Sequence, residues 1–169
     1  MLAGLPSSVE IREVGPRDGL QNESTIPVDE RIALIDALSG TGLAAIEAAS
    51  FVHPKAIPPM AGSAEVMQGI TRVPGVRYRA LVPNERGTMD ALACNVDEIE
   101  VVMSISETHN YKNLNMSPDE SVTQIVDLTE LAHQEKTPVE AILSTAFGLS
   151  LIHISEPTRP ERIGVGRVW

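Results

Sequence analysis

Five short apolar runs, separated by stretches with helical spacing, constrain this chain more than any other feature of its sequence. Residues 9–14 (VEIREV) alternate apolar and polar side chains, the two-residue period of a strand, and Gly15-Pro16 stops the run. Residues 28–39 then read as a helix: Ile32, Ile35 and Leu38 recur three apart, Leu34 broadens the stripe, and Gly40 and Gly42 end it. Residues 43–48 form a short apolar run expected as a buried second strand, with one acid, Glu47, near its carboxyl end. A helix is expected over 63–70, a strand over 76–82, a helix over 85–93 and a strand over 98–103, followed by a loop over 104–113. The clearest helix start is Ser117-Pro118-Asp119-Glu120, where Ser117 caps, Pro118 suits the first helical position and Glu120 completes a Ser-x-x-Glu box. Val122, Ile125, Val126 and Thr129 are its expected buried face, and residues 139–147 the fifth strand. The order βαβαβαβαβ implies right-handed crossovers and a parallel sheet. It leaves a barrel and an open doubly wound sheet both possible, although no Gly-x-Gly-x-x-Gly or phosphate loop supports a nucleotide fold.

Parallel α/β folds put their chemistry at the carboxyl ends of strands. The string Gly15 to Glu23, GPRDGLQNE, sets Arg17 and Asp18 just past such an end, where an Asp can hold a metal and an Arg can face an anion. An isolated Arg-Asp-Gly would read as a surface turn held by a local ion pair. Glu47 is a charge in an apolar strand, which needs a purpose or a partner. Asn84, after the third strand, and the 104–113 loop fall on the same face by strand order, while His109 reads as a solvated loop histidine.

Composition excludes several functions. The formal net charge of −10 offers no basic stripe for nucleic acid, and an anionic substrate would need local cations, of which Arg17 is the obvious one. The single cysteine, Cys94, sits in an Ala-rich stretch and reads as a small buried hydrophobe. No apolar run reaches the ~18 residues of a membrane span, and no secretory leader is expected. Aromatic residues are only 3%, so Ala, Val, Ile, Leu and Met are expected to fill the barrel interior and coat the helices. A full eight-stranded barrel needs roughly 250 residues, more than the 169 present.

The GPRDGLQNE string, together with Ile46-Glu47-Ala48-Ala49-Ser50-Phe51-Val52 and Pro54-Lys55, closely resembles the hydroxymethylglutaryl-CoA lyases, metal-dependent enzymes built on the TIM barrel. The resemblance runs from about Val9 to Gly148, where the family continues with Cys-Pro and this chain does not. Residues 1–148 are therefore expected to be the N-terminal half of a lyase barrel, an incomplete TIM (β/α)8 barrel of about five parallel strands. Residues 149–169 resemble translated adapter sequence and are expected to be a non-native tail, so His153 is not taken as a metal ligand.

The resemblance implies cleavage of 3-hydroxy-3-methylglutaryl-CoA to acetyl-CoA and acetoacetate, a reaction of leucine degradation and ketone body metabolism. It implies Asp18 as a ligand of Mg²⁺ or Mn²⁺, Arg17 as a catalytic and substrate-binding cation, and Glu47 as a second catalytic group. Gln21, Ser50 and Asn84 are expected to help bind substrate. The family's paired metal-binding histidines, its metal-binding asparagine and its loop cysteine find no match, so this chain alone is expected to be inactive. The intact enzyme is expected to be a cytoplasmic homo-oligomer acting on an acyl-CoA, with no nucleic-acid or membrane partner. Two other readings stay open: a related Claisen-type acyl-CoA condensing synthase, and a noncatalytic half-barrel that associates with a partner.

Overall fold

The computed structural model describes residues 6–146 and, in backbone only, 166–168. Five parallel strands lie side by side in chain order: β1 (Arg12–Glu13), β2 (Ala45–Ser50), β3 (Arg77–Leu81), β4 (Glu98–Ser104) and β5 (Val139–Ser144). Helices α1 (Val28–Ser39), α2 (Ser63–Gly69), α3 (Glu85–Ala93), α4 (Glu107–Leu114) and α5 (Pro118–Gln134) fill the crossovers. Five consecutive parallel strands with their helices make half of a (β/α)8 barrel, as expected. A short β6 (Gly166–Val168) pairs antiparallel with β5 and occupies the edge beyond the fifth strand. The rest of the expected tail, residues 149–165 with His153, and Trp169 lie outside the described residues.

The apolar core lies between sheet and helices. Ile46, Tyr78, Ile99 and Val101 from the strands meet Ile35, Val66, Met67, Leu128 and Ala132 from the helices. Cys94 is buried there as expected, and burial pushes its thiol pKa up. The other sheet face departs from expectation. Instead of aliphatic filling, it carries buried Arg79, Glu47 and Glu100, with Arg12 and Glu140 nearly covered. Helix-facing and barrel-facing residues alternate along β4: Ile99 and Val101 belong to the core, Glu98 and Glu100 to the charged face.

Several elements differ from their sequence patterns for identifiable reasons. β1 keeps only Arg12–Glu13 of the alternating run, and among the described residues nothing pairs its outer edge; Val9 and Ile11 are 79% and 67% exposed. The buried face of α1 runs Arg31, Ile35, Ser39, four apart, and Leu34 turns outward; Arg31 reaches across to donate to the Ala61 carbonyl at 2.6 Å. The 104–113 segment is mostly helical rather than a loop, since Ser106 Oγ caps α4 by accepting the His109 amide. The α5 capping box forms as read, with the Ser117 amide donating to Glu120 Oε2 at 2.7 Å and the Glu120 amide donating to Ser117 Oγ at 3.2 Å. Of its expected buried face Ile125 packs against the core and Thr129 is half-buried, but Val122 and Val126 are half-exposed, and the fully buried positions are Ser121, Leu128 and Ala132.

Candidate active site

The site begins with one carbonyl. Val14 O accepts from the amides of Arg17 (3.1 Å), Asp18 (2.7 Å) and Gly19 (3.4 Å), winding Gly15–Gly19 into a single π-helical turn anchored by buried Pro16. The Gly15 amide donates to Glu13 Oε1 at 2.6 Å, tying the turn to the end of β1. The turn sends Arg17 back over the strand ends. Its Nε and Nη2 donate to Glu47 Oε2 at 2.9 and 2.5 Å, and its Nη1 to Asp18 Oδ1 at 2.8 Å. Gln21 Nε2 donates to the same Asp18 oxygen at 2.8 Å.

Arg17, Asp18 and Gln21 line a cleft of about 550 Å³ at the carboxyl ends of the strands. Val102, Ile142 and Ser144 from β4 and β5 form its floor, and Asn113 and Leu114 close one side from the end of α4. Asp18 projects into solvent with its side chain 54% exposed, whereas Arg17 is 12% exposed.

The other expected residues are placed differently. Glu47 does not line the cleft; it is buried beneath Arg17 and receives Arg12 Nη1 at 3.3 Å on its second oxygen. The ladder slips between Glu47 and Ala49, so Ala48 is extra and Ser50 pairs with Leu81, a cleft residue, while Ser50 itself stays buried. Its amide and carbonyl both meet Ser63 Oγ, tying the strand to the start of α2. Asn84 is a helix cap: its Oδ1 accepts the Gly87 amide at 3.0 Å, in a separate depression with His53 and Asp90. An Asn three residues ahead of a close-packed Gly was the local signal for that role. His109 is not free in solvent, since its Nδ1 lies 2.6 Å from buried Ser104 Oγ.

Beneath Arg17 lies an ionic layer that the sequence reading missed. Arg12 Nη1 donates to Glu100 Oε1 at 2.5 Å and its Nη2 to Glu140 Oε2 at 2.7 Å. Arg79 Nη2 reaches Glu98 at 2.7 Å, Glu100 at 3.0 Å and Glu140. Burial opposes the charge on Arg12, but Glu100, Glu140 and Glu47 outweigh it and raise its pKa. Burial, then Glu140, raises the Glu98 carboxyl. Charges two apart in β3 and β4 were a usable signal, because a strand buried on both faces otherwise reads as continuously apolar.

The expected divalent ion finds one carboxylate, Asp18, whose Oδ1 already takes Arg17 and Gln21. Among the described residues no three His, Cys, Asp or Glu side chains converge to hold a metal. These residues alone do not fit Mg²⁺, which demands near-octahedral oxygen coordination.

Residues 8–158 match the HMGL-like family model. The Bacillus subtilis hydroxymethylglutaryl-CoA lyase YngG is 49% identical over 144 residues, 85% of this chain and 48% of that protein. The Mus musculus cytoplasmic 3-hydroxy-3-methylglutaryl-CoA lyase is 47% identical over 148 residues, 87% of this chain and 43% of its own length. The crystal structure of the Bacillus subtilis HMG-CoA lyase superposes with a TM-score of 0.83 at 48% identity, covering 85% of this chain and 49% of that one. An Acinetobacter baumannii HMG-CoA lyase in complex with coenzyme A and 3-methylmalate superposes with a TM-score of 0.78 at 41% identity, covering 82% and 46%. The chain spans about half the length of the curated relatives it matches.

Proposed function

This chain belongs to the HMGL-like family, and on that premise we propose that the complete protein is a carbon-carbon lyase cleaving 3-hydroxy-3-methylglutaryl-CoA to acetyl-CoA and acetoacetate. The observation that carries the proposal is Arg17, held at the wall of the strand-end cleft by two hydrogen bonds to a single Glu47 oxygen. In such a cleavage a base removes the tertiary hydroxyl proton and that oxygen becomes the ketone of acetoacetate. The electron pair of the broken carbon-carbon bond passes to the thioester as an enolate, which is then protonated. A guanidinium fixed beforehand lowers the barrier most where the negative charge develops, so Arg17 faces the enolate or the alkoxide. Glu47 acts through Arg17, and Gln21 and exposed Asp18 set the polar rim against which substrate is oriented. Ser50 and Asn84 act only indirectly, by anchoring the strand and helix that border the cleft.

A divalent ion, Mg²⁺ or Mn²⁺, belongs to this proposal for the complete protein, with Asp18 as one ligand and the remaining ligands outside the described residues. An acyl-CoA is the expected substrate and a homo-oligomer the expected assembly. The setting would be the cytoplasm, in leucine degradation and ketone body metabolism. Relatives are named both cytoplasmic and mitochondrial, and no helix among the described residues is long and apolar enough to cross a membrane.

Joining residues 1–146 to the C-terminal half of the Bacillus subtilis lyase tests the reading. The chimera should release acetoacetate from 3-hydroxy-3-methylglutaryl-CoA with added Mg²⁺ or Mn²⁺, and the 169-residue chain alone should release none. A folded chimera that only joins acyl groups, or releases no acetoacetate, would overturn it.

A further inference from the structure

Under the cleft, three guanidiniums face four carboxyls. Arg12, Arg17 and Arg79 are 15%, 12% and 1% exposed, and Glu47 and Glu100 are 3% and 0% exposed. Glu140 and Glu98 complete the acids at 11% and 17%. Arg77 Nε also lies 3.8 Å from Glu98 Oε2 at the outer rim, so the charges nearly balance, but in a space shielded from water an acid oxygen without a donor is costly. The hydrogen bonds show which acid carries such an oxygen. Glu100 Oε1 takes both Arg12 and Arg79, yet among the described residues no N–H or O–H reaches its buried Oε2. Beside Glu100 lies another acid, Glu47, which shares Arg12 Nη1 with it and is within side-chain hydrogen-bonding reach. Two carboxylates cannot hydrogen-bond each other, but an acid and a carboxylate can.

We propose that the Glu47–Glu100 pair holds one proton at neutral pH, carried on Glu100 and donated to Glu47, so that Glu100 is a positioning residue for Arg17. The proton turns the orphaned carboxyl into a donor, removes one buried negative charge from beside Glu47, and leaves the Oε2 of Glu47 aimed at Arg17. Burial, followed by the charge of Glu47, pushes the Glu100 carboxyl up to about 9, against the pull of Arg12 and Arg17. The charged groups around the pair are Arg12 on β1, Arg17 on the turn, Arg79 on β3, Glu98 on β4 itself and Glu140 on β5. Only the effect on catalysis rests on the lyase reading; the shared proton does not.

Infrared difference spectroscopy on the 169-residue chain tests the proton directly. A carboxylic-acid C=O band should persist at neutral pH, vanish near pH 9, and be missing in Glu100→Gln, which keeps shape and a donor. In Glu47→Gln, the band should titrate at lower pH, because the neighbouring charge is gone. No neutral-pH band in the wild type, or a band that survives in Glu100→Gln, overturns the proposal. In the chimera, kcat/KM should fall as this proton is lost, and Glu100→Gln should abolish that alkaline fall while retaining neutral-pH turnover. Identical alkaline limbs in the two proteins refute the positioning role, which a merely structural Glu100 would also predict. A folded chimera silent at every pH refutes the lyase reading instead, and the infrared result alone then decides the shared proton.

Discussion

Arg79 is 1% exposed and touches Glu98, Glu100 and Glu140 with one nitrogen, so three acids from two strands depend on it. Arg79→Met keeps much of the volume but removes the charge, leaving Arg12 alone to face Glu100 and Glu140. Breaking a buried pair from one side costs about 3–5 kcal/mol, and urea unfolding of the chain should show a loss of that order. The raised Glu100 pKa also sets a pH dependence of stability. Below its ordinary value of 4.5 the acid is neutral folded or unfolded, and its contribution is fully present; above that the unfolded chain ionises while the folded one keeps the proton. Stability should therefore fall as pH rises from 4.5 toward about 9, with Glu98 adding in the same direction. Unfolding curves of wild type and Glu100→Gln across that window should diverge, with the variant flatter; parallel curves would contradict the assignment. Arg17, Asp18 and Gln21 were legible in the sequence because they form one contiguous string on one turn. Their supports were not, since Arg12 and Glu140 meet across 128 positions and no local pattern encodes the meeting.

Helices announced themselves where caps and breakers bracket them. α1 and α3 have the boundaries read from sequence, closed by Gly40 in one case and opened by Asn84 in the other. α4 went unread because ETHNYKNL has no apolar stripe; Ser106 and the acidic first turn were its only markers. The buried face of α5 shows a limit of periodicity: two overlapping stripes fit the spacing, and packing against α3 and β4 selects the one through Leu128 and Ala132. The α5 cap makes a clean test. Ser117→Ala removes the oxygen that accepts the Glu120 amide and should cost about 0.5–2 kcal/mol of stability, read by thermal or urea unfolding. Gly87→Ala should be more damaging to the cleft border, because a Cβ there would lie 2.9 Å from the Phe51 carbonyl and 2.7 Å from Pro83 Cδ. Either α3 moves away from β2 or the strand end yields, and amide exchange around Phe51 and Asn84 should accelerate. Unchanged exchange there would show that the contact relaxes without cost.

At the scale of the whole molecule, the parallel βαβ order was legible because such units are local, the resemblance to the lyases selected a half-barrel over an open sheet, and an incomplete barrel leaves its first strand without an eighth. The inward face carries the ionic layer, and three exposed apolar residues lie along the β1 edge, where Val9, Ile11 and Val14 are 79%, 67% and 37% exposed. A two-residue β1, whose outer edge no other described strand pairs, presents amides and carbonyls to any other strand, beside side chains that gain by leaving water. On the opposite side, β6 covers β5 over Ala141 to Leu143. The 169-residue chain, expressed alone, should therefore self-associate through the β1 edge. Removing residues 149–169 should not restore a monomer, because it strips β6 from β5 and opens a second edge. Adding two acids, Val9→Glu with Ile11→Glu, should reduce association by placing like charges at the contact without touching the buried layer. Sedimentation velocity on the three proteins separates the outcomes. A monodisperse wild-type monomer with cooperative unfolding and slow amide exchange in β1 would mean that this edge is stable in water, and the account of the half-barrel as an open surface would fail.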